Sequence, residues 1–257
     1  MRTLASVLAS SLLLAGTARA DMITVTIENL LPAGGLSFTP VWLGFHDGGF
    51  TNFAAGAPAS DYDGIEAIAE LGAGAAQMAR FAASQPLGVQ TMVADLNGAP
   101  VFSPGESRSV DITLDAVKNA FFSFASMLVP TNDLFLGDPG AIQLFDGGSF
   151  VGPITIDIHG SMVWDAGTES NSVLDGGAFV MGVDATRGTV EGGVIHLFLG
   201  DPGAPDYLSS LLGLTTADGG TISSTFGDET LIGRITIVPA PGAAMLAILS
   251  LARSRRR

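Results

Sequence analysis

The chain contains no cysteine, and this absence excludes several kinds of chemistry. Disulfide bonds, thiolate metal ligands and cysteine nucleophiles all require a thiol. A chain of 257 residues, of which 47% are hydrophobic, can bury a core large enough to be stable without cross-links. One large domain or two small ones would fit this length, and all-β sandwiches of this size are commonly single domains.

Positive charge is scarce between the two ends of the chain. Residues 21–240 contain all 25 acidic residues of the sequence, and the formal net charge of the whole chain is −14. A surface this negative repels phosphate backbones, so we expect no binding to nucleic acid. Binding to cations or to basic partners, or a high-salt environment outside the cell, fits this charge better. The basic residues within this range are Arg80, Arg108, Lys118, Arg187 and Arg234.

Common catalytic motifs are also missing. The sequence has no Gly-x-Ser-x-Gly, His-Glu-x-x-His or Gly-Lys-Ser/Thr motif, so we expect no enzymatic activity. His46 and Asp47 are expected to hold a turn, and His159 and His196 lie at or in predicted strands. Paired carboxylates of the glycosidase type stay open as an alternative, although nothing in the sequence selects a pair.

Glycine is abundant, with 34 residues, whereas charged residues make up only 14%. This composition is typical of short strands joined by tight turns. Residues 22–30 and 107–114 alternate apolar and polar side chains, as strands with one buried face do. Residues 121–128 are expected to be buried on both faces, as in a central strand. The sequence therefore predicts an all-β fold, an antiparallel β-sandwich.

One segment departs from the strand pattern and predicts a short helical insert. In residues 60–82, Ile65, Ile68 and Leu71 recur at helical spacing. Ser60 with Asp63 is typical of a capped helix start, and Gly72 and Gly74 are expected to break the helix in two. A second pattern is the near-repeat of residues 134–141 at 197–204, which predicts two equivalent strand ends in the two sheets.

The sequences of the two ends of the chain are typical of targeting segments. Residues 1–20 combine Arg2, an apolar run and the small residues Ala18 and Ala20, which is typical of a secretory signal peptide cleaved before Asp21. Residues 239–257 combine a proline motif, an apolar stretch shorter than a membrane span and an arginine cluster. The domain is therefore expected to occupy residues 21–238.

Two acidic loops are candidates for binding a hard cation. Asp165 and Glu169 flank Gly167 and Thr168 in one loop, and Asp133 ends the other. Oxygen-bearing side chains on turns suit calcium, which accepts several oxygens in irregular geometry. From spacing alone, solvated turn residues in an acidic protein are the favoured alternative.

Several segments resemble the spondin N-terminal domain in its bacterial form. The Trp-Asp-Ala-Gly-Thr run that begins at Trp164 is the most specific match, and the resemblance extends over roughly residues 22–180. It implies a β-sandwich with calcium at one end, bound by Asp133, Asp165 and Glu169. The C-terminal segment resembles a PEP-CTERM sorting signal, with Ala240 in place of the usual glutamate. The matching segments are residues 45–50, 58–60, 65–70, 130–137, 144–146 and 163–169.

Together these patterns predict an exported, non-enzymatic, calcium-binding protein that is secreted or held at the cell surface. Adhesion to extracellular matrix or to a surface polymer is the expected role, with membrane contact only transient, through the C-terminal tail. The alternative is a secreted hydrolase that acts on carbohydrate with paired carboxylates. Only two Trp and two Tyr are available to stack on sugars, which disfavours that alternative.

Overall fold

The computed structural model describes residues 20–94 and 101–240. The predicted signal peptide, apart from Ala20, and the predicted sorting tail beyond Ala240 lie outside the described residues. None of the helices within the described residues is long and apolar enough to span a bilayer.

Strands dominate the secondary structure of the described residues. The strands are β1 (Ala20–Asn29), β2 (Ser37–Phe38), β3 (Val41–His46), β4 (Val89–Val93), β5 (Ser107–Asp115), β6 (Phe121–Val129), β7 (Leu134–Gly137), β8 (Ile142–Gln143), β9 (Phe145–Asp146), β10 (Ser149–Phe150), β11 (Ile154–His159), β12 (Trp164–Asp165), β13 (His196–Leu197) and β14 (Leu231–Pro239). The helices are α1 (Ile65–Leu71), α2 (Ala75–Ser84) and α3 (Ala204–Leu211).

These strands form two main antiparallel sheets. The first has the order β11-β14-β1-β5. The second has the order β13-β12-β7-β6-β3-β4, with β2 and β8 also pairing with β6. A small hairpin of β9 and β10 is separate from both. The predicted fold class, an all-β antiparallel sandwich with a short helical insert, is confirmed.

Side-chain alternation explains how the first sheet covers the core. Ile23, Val25 and Ile27 of β1 are buried, whereas Thr24 and Thr26 are half-buried on the outer face. Thr26 shares a hydrogen bond of 2.8 Å with the hydroxyl of Ser109, so the outer face is polar. The alternation of side chains therefore gives β1 a buried apolar face and a polar outer face along its length.

The helical insert is split as predicted, but its start differs from the prediction. Gly72 adopts a left-handed conformation (φ 63°) and ends α1, and α2 follows after Gly74. The expected cap by Ser60 and Asp63 is wrong, because α1 begins after Gly64 without a side-chain cap. Gly64 itself is left-handed (φ 99°) and lies against the backbone of α2, so tertiary packing fixes the start of the helix.

Both ends of the described chain lie at one end of the first sheet. Ile23 is opposite Pro239, and the amide of Ala240 donates to the carbonyl of Met22 at 2.9 Å. At the other end of the same strands, Asn29 is opposite Gly233. β11 also finishes at that far end, so the segment leading into β12 starts there.

The near-repeat flanks a single short strand. Trp164 of β12 pairs with Phe135 of β7 on one side and with Leu197 of β13 on the other. The two copies therefore lie in the same sheet, not one in each sheet as predicted. Each copy forms a turn at its Asp-Pro-Gly sequence. Asp138 and Asp201 accept equivalent hydrogen bonds of 2.7 Å from the amides of the glycines two residues later.

Candidate metal centre

Strand pairing brings Asp133 and Asp165 together. Asp165 is opposite Leu134 in the β12–β7 ladder, and Asp133 immediately precedes Leu134. The amide of Ala166 donates to the carbonyl of Asp133 at 3.2 Å, which continues this contact beyond the strand. Both carboxylates are fully buried, with 0% exposure. Two acids that are 32 positions apart in sequence thus become neighbours at the far end of the molecule.

Trp164 anchors the loop in the core. Its ring packs edge-on against Phe53, with 5.2 Å between ring centroids, and its Nε1 donates to the carbonyl of Gly137 at 3.1 Å. The surrounding cluster includes Ile65 of α1, so the helical insert supports this strand from outside the sheet. The position of the following residue, Asp165, is therefore fixed by packing.

Asp133 has one saturated oxygen and one without a partner. Its Oδ2 accepts hydrogen bonds from the amide of Thr168 at 2.8 Å, from the Thr168 hydroxyl at 3.1 Å and from the amide of Glu169 at 3.0 Å. Its Oδ1 is buried and accepts no hydrogen bond from the described residues. A buried acceptor without a donor is costly, so this atom requires a physical explanation.

A second unpartnered oxygen lies beside Asp165. The Oδ1 of Asp165 accepts from the amide of Gly167 at 2.7 Å, and its Oδ2 accepts from the Nδ2 of Asn171 at 2.9 Å. The remaining side-chain atom of Asn171, its Oδ1, is buried and has no hydrogen-bond partner among the described residues. The site thus contains more buried acceptors than donors.

The electrostatics of the pair are unfavourable in the absence of a counter-charge. Burial, and next the charge of Asp165, raise the pKa of Asp133 to about 7, in spite of the three donors on its Oδ2. Among the ion pairs of the described residues, none includes either carboxylate. A proton or a cation would relieve this repulsion.

Glu169 follows the pair closely in the chain, but the contacts of its carboxylate are with other residues. Its carboxylate contacts the Nδ2 of Asn132 at 3.4 Å and fills the space above Gly188, where a Cβ would overlap it. Burial, and next the charge of Glu70, raise the pKa of Glu169 to about 7. Within residues 20–94 and 101–240, no three His, Asp or Glu side chains are grouped closely enough to form a metal site by themselves. The structure therefore brings two of the three predicted ligands together.

Asn132 and Tyr207 support the site and were not predicted from the sequence. Asn132 accepts on its Oδ1 from the hydroxyl of Tyr207 at 2.9 Å and from the amide of Ser172 at 2.9 Å. Its Nδ2 donates to the carbonyl of Asp175 at 2.6 Å. Burial raises the pKa of Tyr207, and Asp133 adds to this effect. The phenol therefore stays protonated and links the loop to α3.

A groove opens beside Glu169. It has a volume of about 430 Å³, and Glu66, Glu70 and Thr168 also line it. Burial raises the pKa of Glu70, and the charge of Glu66 adds to this effect. The described lining residues include no aromatic side chain.

The available atoms fit a hard cation. Carboxylate and amide oxygens are the ligands that calcium prefers, and it accepts about six to eight of them in flexible geometry. Asp133 and Asn171 present unpartnered oxygens, and Asp165 adds a second charge. Zinc is a poorer fit, because neither cysteine nor histidine is available at the centre.

Comparison with protein-family models gives no match, and comparison with curated proteins gives none either. The resemblance to the spondin N-terminal domain therefore stays a prediction.

Proposed function

We propose that this chain is an exported β-sandwich that binds calcium at Asp133 and Asp165 and acts without catalysis at the cell surface. One observation carries the proposal: the unpartnered, fully buried Oδ1 of Asp133 beside a second buried carboxylate. A divalent cation there would accept electron density from the free oxygen and neutralise the repulsion between the two acids.

Calcium at this position would have a structural role. Asp133 ends the loop after β6, and Asp165 starts the loop after β12, so one ion would hold both loops at the far end of the sandwich. Extracellular calcium is abundant enough to fill even a weak site. Adhesion to matrix or to a surface polymer is the proposed role of that end, and it rests on the sequence resemblance and on the acidic surface.

Calcium titration of the purified protein tests the metal site. We expect binding heat and a higher melting temperature with calcium than with a chelator. A calcium concentration 100 times Kd would add about 2.7 kcal/mol to the free energy of unfolding. The Asp165→Ala variant is expected to lose both responses.

The matched control is Asp201→Ala. Asp201 accepts a 2.7 Å bond from the amide of Gly203, as Asp165 does from Gly167, but it lies outside the centre. The control should keep the calcium response. Absence of heat and of any thermal shift in the unmodified protein would refute the metal site.

Export has its own measurement. The proposal expects the secreted chain to begin at Asp21, which mass spectrometry of the mature protein would show. A chain retained in the cytoplasm with its first residues intact would contradict this part of the proposal.

One observation favours the alternative, a carbohydrate hydrolase. Glu70 and Glu169 share the groove described above, and burial raises the pKa of both carboxyl groups. One protonated and one ionised carboxyl group is the arrangement that glycosidases require. The test is release of reducing ends from polysaccharides by the unmodified protein and by Glu70→Gln. Activity that Glu70→Gln abolishes would support the hydrolase, whereas inactivity of both proteins is the result that our proposal expects.

A further inference from the structure

We infer that Asn171, and not Glu169, provides the third side-chain oxygen of the calcium centre, an inference that rests on the function proposed above. The residue types alone favour the opposite assignment, because glutamate is a charged oxygen ligand and asparagine is not. The contacts that the two side chains make decide the matter.

The side-chain amide of Asn171 is held by a hydrogen bond at its nitrogen, whereas its oxygen has no hydrogen-bond partner among the described residues. Its Nδ2 donates to the Oδ2 of Asp165 at 2.9 Å, which fixes the plane of the amide beside that carboxylate. Its Oδ1 is shielded from solvent and has no donor among the described residues. Rotating the amide by half a turn would place its oxygen against the carboxylate of Asp165, so the assignment of the two atoms is determined by the hydrogen bond.

The two unpartnered oxygens belong to the same cluster. Asp133 and Asp165 interact directly through their charges, and Asn171 is bonded to Asp165. Asp133 is fully buried, and its free Oδ1 is an acceptor that no described donor reaches. A cation beside these atoms would satisfy both acceptors at once, which no single hydrogen-bond donor of the described residues does.

Glu169 is held away from this cluster by its own contacts. Its carboxylate accepts from the backbone amide of Gly188 and contacts the Nδ2 of Asn132. It packs so closely on Gly188 that a methyl group there would overlap it. It also faces the groove that Glu70 lines. Moving it onto the ion would require breaking these contacts, so its charge would attract calcium from a distance without binding it.

Three variants distinguish the two assignments in calcium titrations of the full chain. We expect Asn171→Ala to weaken calcium binding by at least about tenfold, since loss of even an outer-shell partner has an effect of that size. We expect Glu169→Gln to keep the affinity within about threefold, because only a distant charge is removed. The reverse order of the two effects would overturn the inference and leave the proposed calcium site intact.

The third variant, Asn171→Asp, separates direct ligation from a merely positioning role. It keeps an oxygen but removes the amide N–H that orients Asp165. If Asn171 binds the ion, Asn171→Asp should bind calcium at least as tightly as the unmodified protein, because an additional charge strengthens oxygen sites. If Asn171 only orients Asp165, Asn171→Asp should be as weak as Asn171→Ala, and the inference fails.

A structure with calcium provides a measurement that does not depend on any variant folding. The Asn171 Oδ1 should lie about 2.3 to 2.6 Å from the ion, and both oxygens of Glu169 should lie beyond that distance. The opposite arrangement would overturn the inference. Failure of the unmodified protein to bind any calcium would instead refute the proposed function itself.

Discussion

At the scale of single residues, Asp133 combines complete burial with a free acceptor. Among the described residues, three donors reach the side chain of Asp133; the Oδ2 accepts from all three and the Oδ1 from none. An asparagine at this position could keep its oxygen on those donors and place its Nδ2 where the free Oδ1 of Asp133 lies, among buried acceptors. The same substitution that removes a metal ligand would therefore improve the hydrogen bonding of the calcium-free protein.

We predict that Asp133→Asn raises the free energy of unfolding of the calcium-free protein at pH 8 by about 1 to 3 kcal/mol, the usual cost of an unsatisfied buried group. We also predict that it abolishes stabilisation by calcium. Urea unfolding with chelator and with calcium measures both effects. Asp201→Asn, at a solvated turn, should change neither, and destabilisation by Asp133→Asn in chelator would contradict the explanation given for the free oxygen.

His46 combines a buried imidazole with a role in a turn. The structure shows the turn expected at this position, because the amide of Gly48 donates to the Nδ1 of His46 at 3.1 Å. The Nδ1 is therefore unprotonated, and the Nε2 donates to the hydroxyl of Ser123 at 3.1 Å. The ring is fully buried, and burial lowers its pKa from 6.5, although the charge of Asp47 opposes this.

As pH falls, the unfolded chain takes up a proton at this histidine before the folded chain does. The contribution of His46 to stability is therefore complete above about pH 6.5 and declines below it, by up to about 1.4 kcal/mol per pH unit. We predict that the loss of stability between pH 7.5 and 5.5 is smaller in His46→Gln than in the unmodified protein. Urea unfolding at both pH values measures this, and equal losses would contradict it.

At the scale of elements, the helical insert depends on a close approach of two backbones. Gly64 is left-handed (φ 99°), and a Cβ on it would overlap the backbone of Gln77 in α2. Gly56 is also left-handed (φ 80°), but none of the described residues that pack around it comes within 4 Å of the position of its Cβ. The two glycines share the conformational strain that alanine would meet, and only one has the steric conflict.

We predict that Gly56→Ala lowers the free energy of unfolding by about 1 to 2 kcal/mol, the cost of a left-handed alanine. Gly64→Ala should lower the free energy of unfolding by about 1 to 3 kcal/mol more than Gly56→Ala does, because α1 and α2 must separate to admit the methyl group. Thermal and urea unfolding of the two variants measure the difference. Equal effects would mean that α1 and α2 do not need their close contact.

The elements also show what the sequence could and could not predict. Alternation identified β1 and β5, because side-chain periodicity is a local property, and glycine spacing identified the break between α1 and α2. α3 was missed, since it follows a near-repeat that suggested the end of a strand and an Asp-Pro-Gly turn. Pro205 in its first turn was the signal that could have indicated it.

The site was predictable only in part, for a different physical reason. Asp133 and Asp165 meet through the pairing of β7 with β12, which no local pattern specifies. The resemblance supplied only the expectation that acids from the two loops meet at one end of the sandwich. The free oxygen of Asn171 and the orientation of Glu169 depend on individual hydrogen bonds, which neither periodicity nor motif encodes.

At the scale of the whole molecule, charge repulsion is the dominant long-range term. The net charge is −14 and the sequence pI is about 4.3, so like charges oppose the compact state at neutral pH. Salt shortens the reach of these charges from about 30 Å at 0.01 M to about 3 Å at 1 M. Non-specific screening must therefore be separated from specific binding of calcium.

We predict that sodium chloride raises the melting temperature of the chelator-treated protein. At matched ionic strength, calcium should raise it further. Asp133→Asn should keep the response to sodium chloride and lose the additional response to calcium. Scanning fluorimetry of both proteins measures these effects, and an equal calcium response in the two proteins would show that calcium acts only by screening.

The shared location of the two ends of the described residues determines how the domain would be oriented when it is attached to another structure. Asp21 and Ala240 lie at one end of β1 and β14, and the six steps from Ile23 to Asn29 span about 20 Å towards the other end. A linker, an anchor or a fused domain at either of these residues would therefore be attached at one end of the sandwich. The two acidic loops would lie at the opposite end, which would be the first part of the molecule to contact a neighbouring surface.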